Sequence, residues 1–258
     1  MKSILGSSLS SLFCAAALVS TGATHAAVLD FESVDTTHAP FAPILSDGDS
    51  VSQGAYYAQA FDPNNDTGEP NMALVGAMMN GADAGSCLDG ACPTGNLSNY
   101  VGSVDDGVLQ FGRLDHGVTA LGGFDAAFLA PSGAGLGSGT VAFLAIQAQR
   151  QDGTSATGVF ALGGPGTDGT AAFQTFQASQ AQIISGTGTL TSGAAAYYAF
   201  AYYCDGSGDC SAFTSNKGQF ALDNIALDVS AVPEPQQWLL MSLGLVGLSV
   251  RLNRRRSA

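Results

Sequence analysis

Basic residues are scarce in this sequence, which has 8 Lys and Arg residues against 21 Asp and Glu residues in 258 positions. Five of the basic residues lie near the two ends, so residues 27–231 carry three basic and 20 acidic side chains, a formal net charge near −17. Such a surface repels phosphate backbones, which excludes nucleic acid as a partner. The acidity favours either the binding of cations or simple solubility.

Histidine is also rare, and the motifs of common enzymes are missing. Outside the first 26 residues the histidines are His38 and His116, and neither lies in a His-Glu-x-x-His motif. There is no Gly-x-Ser-x-Gly motif, and no spacing selects two of the many carboxylates for glycoside hydrolysis. We therefore expect no catalytic residues and a non-enzymatic protein, with a secreted glycan hydrolase as one alternative.

The central region lacks helical periodicity as well. Short apolar runs recur between clusters of Gly, Asp, Asn, Pro and Ser residues, a pattern typical of all-β proteins. Residues 27–231 suit a single domain of this kind, and we predict a two-sheet antiparallel sandwich with jelly-roll topology. Strands are expected near residues 28–33, 55–61, 72–79, 107–112, 119–129, 140–149, 157–162, 170–178, 182–190, 195–204 and 218–229.

Two of these strands have informative side-chain patterns. Residues 141–146 are all apolar, so both faces of the strand at 140–149 are apolar. Such a strand belongs in the interior of a sheet, with both faces covered. In the run 196–203 the period of two places Tyr198, Phe200 and Tyr202 on one face.

The last strand changes phase along its length. Phe220 and Leu222 share one face by the period of two, whereas Ile225 and Leu227 have the opposite parity. A strand that keeps one face buried can change phase only by inserting a residue. We therefore predict a β-bulge at 223–224, and a special role for Asp223 because bulges redirect side chains.

Cysteine is confined to a few positions. Cys14 lies in the N-terminal segment. The four cysteines of the central domain, which allow three pairings, are Cys87, Cys92, Cys204 and Cys210. Pairing between sequence neighbours would close two loops rich in Asp and Gly. A zinc site is the alternative, but structural zinc favours closer Cys-x₂₋₄-Cys pairs. We expect disulfides, and hence an oxidising compartment.

The N-terminal segment has the features of a signal peptide. Lys2 precedes an apolar run at 12–19, and small residues lead up to Ala27. We predict a signal helix within residues 1–26, export by the Sec machinery, and cleavage between Ala26 and Ala27.

The C-terminal segment, residues 232–258, has three parts. Pro233, Glu234 and Pro235 form a short motif in an extended linker. An uncharged apolar stretch, 236–250, follows, and four arginines lie within 251–256. We predict a short transmembrane helix whose basic end stays in the cytoplasm. A short apolar tail that follows a recognition motif is typical of a membrane anchor that is later removed. We therefore expect the precursor to be anchored in the inner membrane.

This three-part order resembles a PEP-CTERM sorting signal, which an exosortase processes in Gram-negative bacteria. The resemblance covers residues 232–256, and its recognition motif is Pro233-Glu234-Pro235. It implies cleavage near the motif and release or attachment at the cell surface or in the extracellular space. It also implies association with exopolysaccharide or biofilm matrix.

A second resemblance covers the central domain. Residues 219–223 match the Gln-Phe-x-x-Asp pattern of one group of exosortase-system proteins, and the segments 30–32 and 220–225 resemble those of carbohydrate-binding jelly rolls. This resemblance implies calcium held by Glu32 and Asp223. Asp47 and Asp49, on the following loop, could complete the shell of oxygen ligands. The alternative is that these acids are ordinary solvent-facing residues.

Tyrosine is the most promising residue type for binding sugars, because its ring has flat apolar faces and a polar tip. By strand alternation, half of the strand tyrosines belong to the core. A calcium-dependent, lectin-like binding module is therefore an alternative to a structural surface protein. The tyrosines concerned are Tyr56, Tyr57, Tyr197, Tyr198, Tyr202 and Tyr203.

Overall fold

The structure, a computed structural model, describes residues 26–87, 92–130, 136, 139–166 and 169–229. The predicted signal helix, the Pro-Glu-Pro motif, the apolar stretch and the basic tail lie outside the described residues. The regular secondary structure of the described residues consists of β-strands and one 3₁₀ helix at Ala178–Gln180. Its strands are β1 Ala26–Leu29, β2 Ile44–Ser46, β3 Ser50–Gln53, β4 Tyr56–Phe61, β5 Leu74–Asn80, β6 Asn99–Ser103, β7 Val108–Arg113, β8 Thr119–Phe128, β9 Thr140–Gln149, β10 Ser155–Gly163, β11 Gln174–Gln177, β12 Gln182–Gly186, β13 Ala196–Cys204, β14 Cys210–Ser211 and β15 Phe220–Val229.

The strands form two antiparallel sheets. Sheet 1 has the order β11-β8-β15-β6-β5-β2, with β1 also paired to β15. Sheet 2 has the order β12-β10-β9-β13-β7-β4-β3, with β14 paired to the end of β13. The predicted all-β sandwich of two antiparallel sheets is confirmed, while the jelly-roll topology stays a prediction.

The main core lies between the two sheets and is built from alternate residues of each long strand. Sheet 1 contributes side chains such as Phe128 and Phe220, and sheet 2 contributes side chains such as Phe111, Leu144 and Tyr197, all of them buried. Phe111 and Tyr197 stack with ring centroids 5.4 Å apart. Burial of apolar side chains is the main force that holds the two sheets together.

A second, smaller core lies on the outer face of sheet 1. Residues of the opposite parity, among them Met79, Tyr100 and Ala221, are buried there, together with partly buried Cys87 and Phe173. The chain that follows β5 packs on this face through Cys87, whose sulfur lies 3.1 Å from the Tyr100 hydroxyl. Sheet 1 is therefore apolar on both faces.

Every strand that the sequence predicts overlaps a strand of the structure. The strand at 140–149 lies inside its sheet as predicted, between β10 and β13. Four strands were missed: β2, β3, β6 and β14. They are short or begin with polar residues, so neither length nor alternation marks them. The predicted strands at 170–178 and 182–190 are shorter in the structure, at Gln174–Gln177 and Gln182–Gly186.

The predicted bulge in the last strand is confirmed. The register between β15 and β8 shifts after Asp223, and the next paired residue of β15 is Ala226. Asn224 has a φ of 49°, in the left-handed region that asparagine tolerates better than most residues. The register shifts again between Ala226 and Leu227, and beyond the bulge Ile225 and Leu227 are both buried in the core.

Both local disulfides are present in the structure, Cys87–Cys92 and Cys204–Cys210. Their sulfur atoms are bonded to each other, so the four cysteines do not form a zinc site here. Residues 88–91 of the first loop lie outside the described residues.

Candidate functional site

Asp223 lies where β15 exchanges one neighbouring strand for another. Residues 220–222 pair with β6, and the pairing with β1 begins at Ile225. The bulge therefore falls at the junction of the two neighbours, and the Asp223 side chain is 1% exposed there. Sequence analysis singled out this residue from the phase change and from the resemblance to carbohydrate-binding jelly rolls.

Side-chain amides surround the buried Asp223 carboxylate. Asn96 donates from Nδ2 to Oδ2 of Asp223 at 2.6 Å, and the backbone N–H of Asn224 donates to Oδ1 at 2.7 Å. The Asn224 amide also donates to Oδ2 of Asp125 at 2.8 Å. Asn224 therefore joins two carboxylates that are cross-strand partners in β15 and β8.

Burial raises the pKa of Asp223 to about 6, because the charged form loses its hydration. The hydrogen bonds from Asn224 and Asn96 oppose this rise, while the negative charges of Asp125 and Glu32 add to it. Three carboxylates thus interact electrostatically at the bulge. Asp125 was missed from the sequence, because only the β15–β8 register places it opposite Asp223.

Glu32 reaches this region from the turn after β1. The Asp30 carboxylate accepts the backbone N–H of Glu32 at 3.1 Å, and it also accepts a bond from Gln53 at 2.6 Å. One Glu32 carboxylate oxygen accepts the backbone N–H of Asn99 at 3.0 Å. The negative charge of Glu32 adds to the raised pKa of Asp223, and the shared calcium site of the two residues stays a prediction.

Asp47 and Asp49 bind other partners. Asp47 is buried and accepts bonds from the backbone N–H groups of Asp62 and Asn71 and from the Asn65 amide. Asp49 accepts the backbone N–H of Ser46 at 2.8 Å. Within the described part of the chain, no three Asp, Glu, His or Cys side chains form a group able to hold a metal ion. The structure therefore does not gather the four predicted calcium ligands in one shell.

Asp106 is a buried carboxylate that sequence reasoning missed. It is 2% exposed and accepts the backbone N–H groups of Ser215, Asn216 and Gly218, at 3.0, 2.8 and 2.5 Å. These bonds fix the turn that leads into β15 and so position the residues before the bulge. Its role is structural, because all three partners are backbone donors of one loop.

The outward side chains of sheet 2 form a second candidate site. As predicted, Tyr198, Phe200 and Tyr202 share one face, where all three are half-buried. Three of the six tyrosines considered, Tyr56, Tyr197 and Tyr203, belong to the core, which agrees with the prediction that half would do so. Tyr57 points outward, and its hydroxyl accepts a bond from the Gln110 amide at 2.7 Å.

An apolar cleft of about 310 Å³ opens on this outer face. Its lining residues come from β9, β10, β12, β13 and β14, and they are Phe143, Val159, Gln182, Ile184, Tyr202 and Cys210. The disulfide of Cys210 fixes one wall of the cleft.

The two histidines considered from the sequence lie in loops. His116 has a φ of 56° and follows Asp115, which is bound by the guanidinium of Arg113. Hydrogen bonds from Arg113 hold the pKa of Asp115 well below its usual range. Asp115 is therefore engaged by an arginine and does not orient His116 as a general base would require.

Comparison with known proteins identifies the C-terminal segment. Residues 231–256 match the family model described as the PEP-CTERM protein-sorting motif. The chain carries a PEP-CTERM sorting motif. No curated protein matches this chain significantly.

The PEP-CTERM motif defines the route of this protein. It indicates an exported protein whose membrane-anchored precursor is sorted to the cell surface by an exosortase. Among the described residues, no helix has the length and apolar character needed to cross a membrane. The apolar stretch that follows the motif lies outside these residues.

Proposed function

We propose that this protein is a non-catalytic component of the cell surface or extracellular matrix that associates with exopolysaccharide in a Gram-negative bacterium. The observation that carries the proposal is the PEP-CTERM motif at 231–256 behind an exported all-β domain. Two disulfides close loops of this domain, which suits an oxidising compartment. The acidic surface suits a soluble, non-aggregating domain outside the cytoplasm.

Mass spectrometry of the mature protein tests the sorting route. We expect an N-terminus at Ala27 and a C-terminus near residues 233–235 when the full chain is expressed in a host with an exosortase. In a host that lacks the exosortase, the C-terminal tail should remain and the protein should stay in the membrane fraction. Replacement of Glu234 by alanine should block processing, because it removes the charged residue of the motif.

Gln236→Ala is the matched control for Glu234→Ala. It changes a neighbouring residue of the same linker and should leave processing intact. A mature chain with an intact tail in the exosortase-containing host would contradict the proposal. So would equal processing of the Glu234→Ala variant.

We also propose that calcium binds between Glu32 and Asp223. The proposal is supported by the like charges of Glu32 and Asp125 around the buried Asp223, since a divalent cation would offset this repulsion. Binding requires the amides of Asn96 and Asn224, which now donate to Asp223, to turn their oxygens toward the ion. Calcium would then stabilise the junction of β1, β6 and β15.

Thermal unfolding of the mature protein in calcium and in EDTA tests this site. A ligand that binds only the folded state raises the melting temperature, by an amount equivalent to about 2.7 kcal/mol at 100 times its dissociation constant. We expect calcium to raise the melting temperature of the wild type but not of the Asp223→Asn variant. The Asp66→Asn variant, changed at an exposed acid, should respond like the wild type. An identical melting temperature of the wild type in both solutions would refute calcium binding.

A further inference from the structure

We propose that the outer face of sheet 2 binds a neutral polysaccharide chain. This inference rests on the proposed association with exopolysaccharide and names the surface and the class of sugar. The binding surface, here called the amide–aromatic face, consists of a polar row and an aromatic row. The polar row is Gln59, Gln110, Tyr198 and Gln147, and the aromatic row is Phe143, Phe200 and Tyr202.

The polar row runs straight across four strands, β4, β7, β13 and β9. The strand register pairs Gln59 with Gln110, Gln110 with Tyr198, and Tyr198 with Gln147. With neighbouring strands about 4.8 Å apart, the row is roughly 14 Å long. The amide nitrogens of Gln59, Gln110 and Gln147 donate to the Gly48 carbonyl, the Tyr57 hydroxyl and the Thr157 hydroxyl. Each amide also has an oxygen and a second N–H group, to which sugar hydroxyl groups can bond. A row of such groups suits an extended chain with hydroxyl groups along its length.

The aromatic row lies beside the polar row on the same face. Phe143 and Tyr202 are cross-strand partners of β9 and β13, and the rings of Phe200 and Tyr202 lie 5.6 Å apart. The rings of Phe200 and Tyr202 are half-buried, so part of each remains open to solvent. Ala145 is fully buried between Val159 and Phe200. Its small side chain leaves a shallow depression in the face beside the larger side chains of the two rows.

The cleft at the end of the aromatic row has the size of a small-molecule site. Its volume of about 310 Å³ lies at the lower end of the range for ligand pockets, about 300–1,000 Å³. Its walls are the rings of Phe143 and Tyr202 and the side chains of Val159 and Ile184, with the Gln182 amide at the rim. Flat apolar walls beside an amide match the apolar C–H face and polar edge of a sugar ring.

The charge of the domain decides which class of ligand suits the amide–aromatic face. The domain has 20 acidic residues, yet none of them belongs to the two rows or to the cleft lining. The face therefore offers no ion pair to a charged ligand, and the net charge near −17 repels an acidic polysaccharide. The same charge opposes a second copy of the chain, since two acidic domains would have to meet face to face. A neutral glycan needs no ion pair and is not repelled by the negative charge of the domain.

Affinity electrophoresis of the mature, processed protein tests the proposal. The probes are three soluble neutral polysaccharides, a β-glucan, a dextran and a galactomannan, with alginate as the acidic comparison. We expect at least one neutral polysaccharide, but not alginate, to retard the wild type. Tyr202→Ala should weaken the retention about tenfold, because it removes a ring that belongs to both the aromatic row and the cleft wall. Gln147→Ala, which removes a polar group and leaves the rings in place, should weaken it as well.

Phe41→Ala is the matched control, since Phe41 is an exposed aromatic residue, 58% accessible, in the loop before β2. It should bind like the wild type, and all variants should show the melting temperature of a folded domain. The proposal is overturned if no neutral polysaccharide retards the wild type, or if retention survives in both Tyr202→Ala and Gln147→Ala. It is also overturned if alginate is bound as tightly. A concentration-dependent dimer that Tyr202→Ala abolishes would assign the face to self-association instead.

The outcome is separable from that of the sorting proposal. Correct processing of the two chain ends with no retention by any neutral polysaccharide would overturn the amide–aromatic face alone. Retention without exosortase-dependent processing would overturn the sorting route and leave the face intact.

Discussion

The Asp223 side chain combines a structural and an electrostatic role. Its carboxylate holds Asn224 in the bulge and Asn96 in the loop over the outer face of sheet 1. Burial and two neighbouring carboxylates act against its negative charge. A residue that is 1% exposed and surrounded by like charge costs free energy when ionised.

The free energy of unfolding should therefore depend on pH through Asp223. Its pKa is about 6 in the folded protein, against an ordinary value of 3.8. Between these values the folded state binds more protons than the unfolded state, so stability falls as the pH rises from about 4 to about 6. Asp223→Asn cannot ionise and should be more stable than the wild type at pH 7, by about 1–3 kcal/mol. Urea unfolding at several pH values in EDTA measures this difference.

The variant Asp125→Asn serves as the partner experiment. It removes one like charge and leaves Asp223 buried, so it should raise stability near neutral pH by less than Asp223→Asn does. Parallel stability curves for the wild type and Asp223→Asn across this pH range would show that the buried carboxylate does not titrate as described.

At the scale of elements, the two disulfides close loops of similar length but different surroundings. Cys87–Cys92 and Cys204–Cys210 have sequence separations of 5 and 6. The first lies against the second core, where the Cys87 sulfur is 3.1 Å from the hydroxyl of buried Tyr100. The second closes a loop whose residues 205–209 are all exposed.

Removal of the first disulfide should therefore cost more stability than removal of the second. Loop closure of this length contributes about 2 kcal/mol in either case. The double variant Cys87→Ser/Cys92→Ser should lose at least about 1 kcal/mol more, because it also loosens the cover over Tyr100. Urea unfolding gives both values, and the near-ultraviolet signal of tyrosine should change more in the first variant. Equal losses would mean that the covering loop is held without its disulfide.

The bulge in β15 shows how an element can be read from the sequence. Two apolar pairs of opposite parity, ending at Leu222 and starting at Ile225, require an inserted residue if one face is to stay buried. The strand β6 shows the opposite case. Asn99-Tyr100-Val101-Gly102-Ser103 has apolar residues on both faces and polar ends, because one face meets the main core and the other the second core. Alternation is lost where both faces are covered, so the strand was missed.

At the scale of the whole molecule, sheet 1 and sheet 2 present different outer faces. The outer face of sheet 1 is covered by the chain that carries Cys87, whereas the outer face of sheet 2 keeps half-buried rings open to solvent. None of the acidic residues belongs to the two rows or to the cleft lining. This separation leaves one broad neutral surface on an acidic protein, and it is the surface on which the polysaccharide proposal depends.

The amino-acid sequence by itself determined the fold class, the bulge and the sorting motif, whereas the pairing of the four cysteines came from the structure. The bulge and the motif depend on residues that are close together along the chain, such as the Pro-Glu-Pro motif at 233–235. Tertiary structure alone decided that Asp125 faces Asp223, that Asp47 serves the loop at 62–71, and that Gln59, Gln110, Gln147 and Tyr198 form one row. These relations depend on strand register and sheet order, which long-range packing determines and local patterns do not encode.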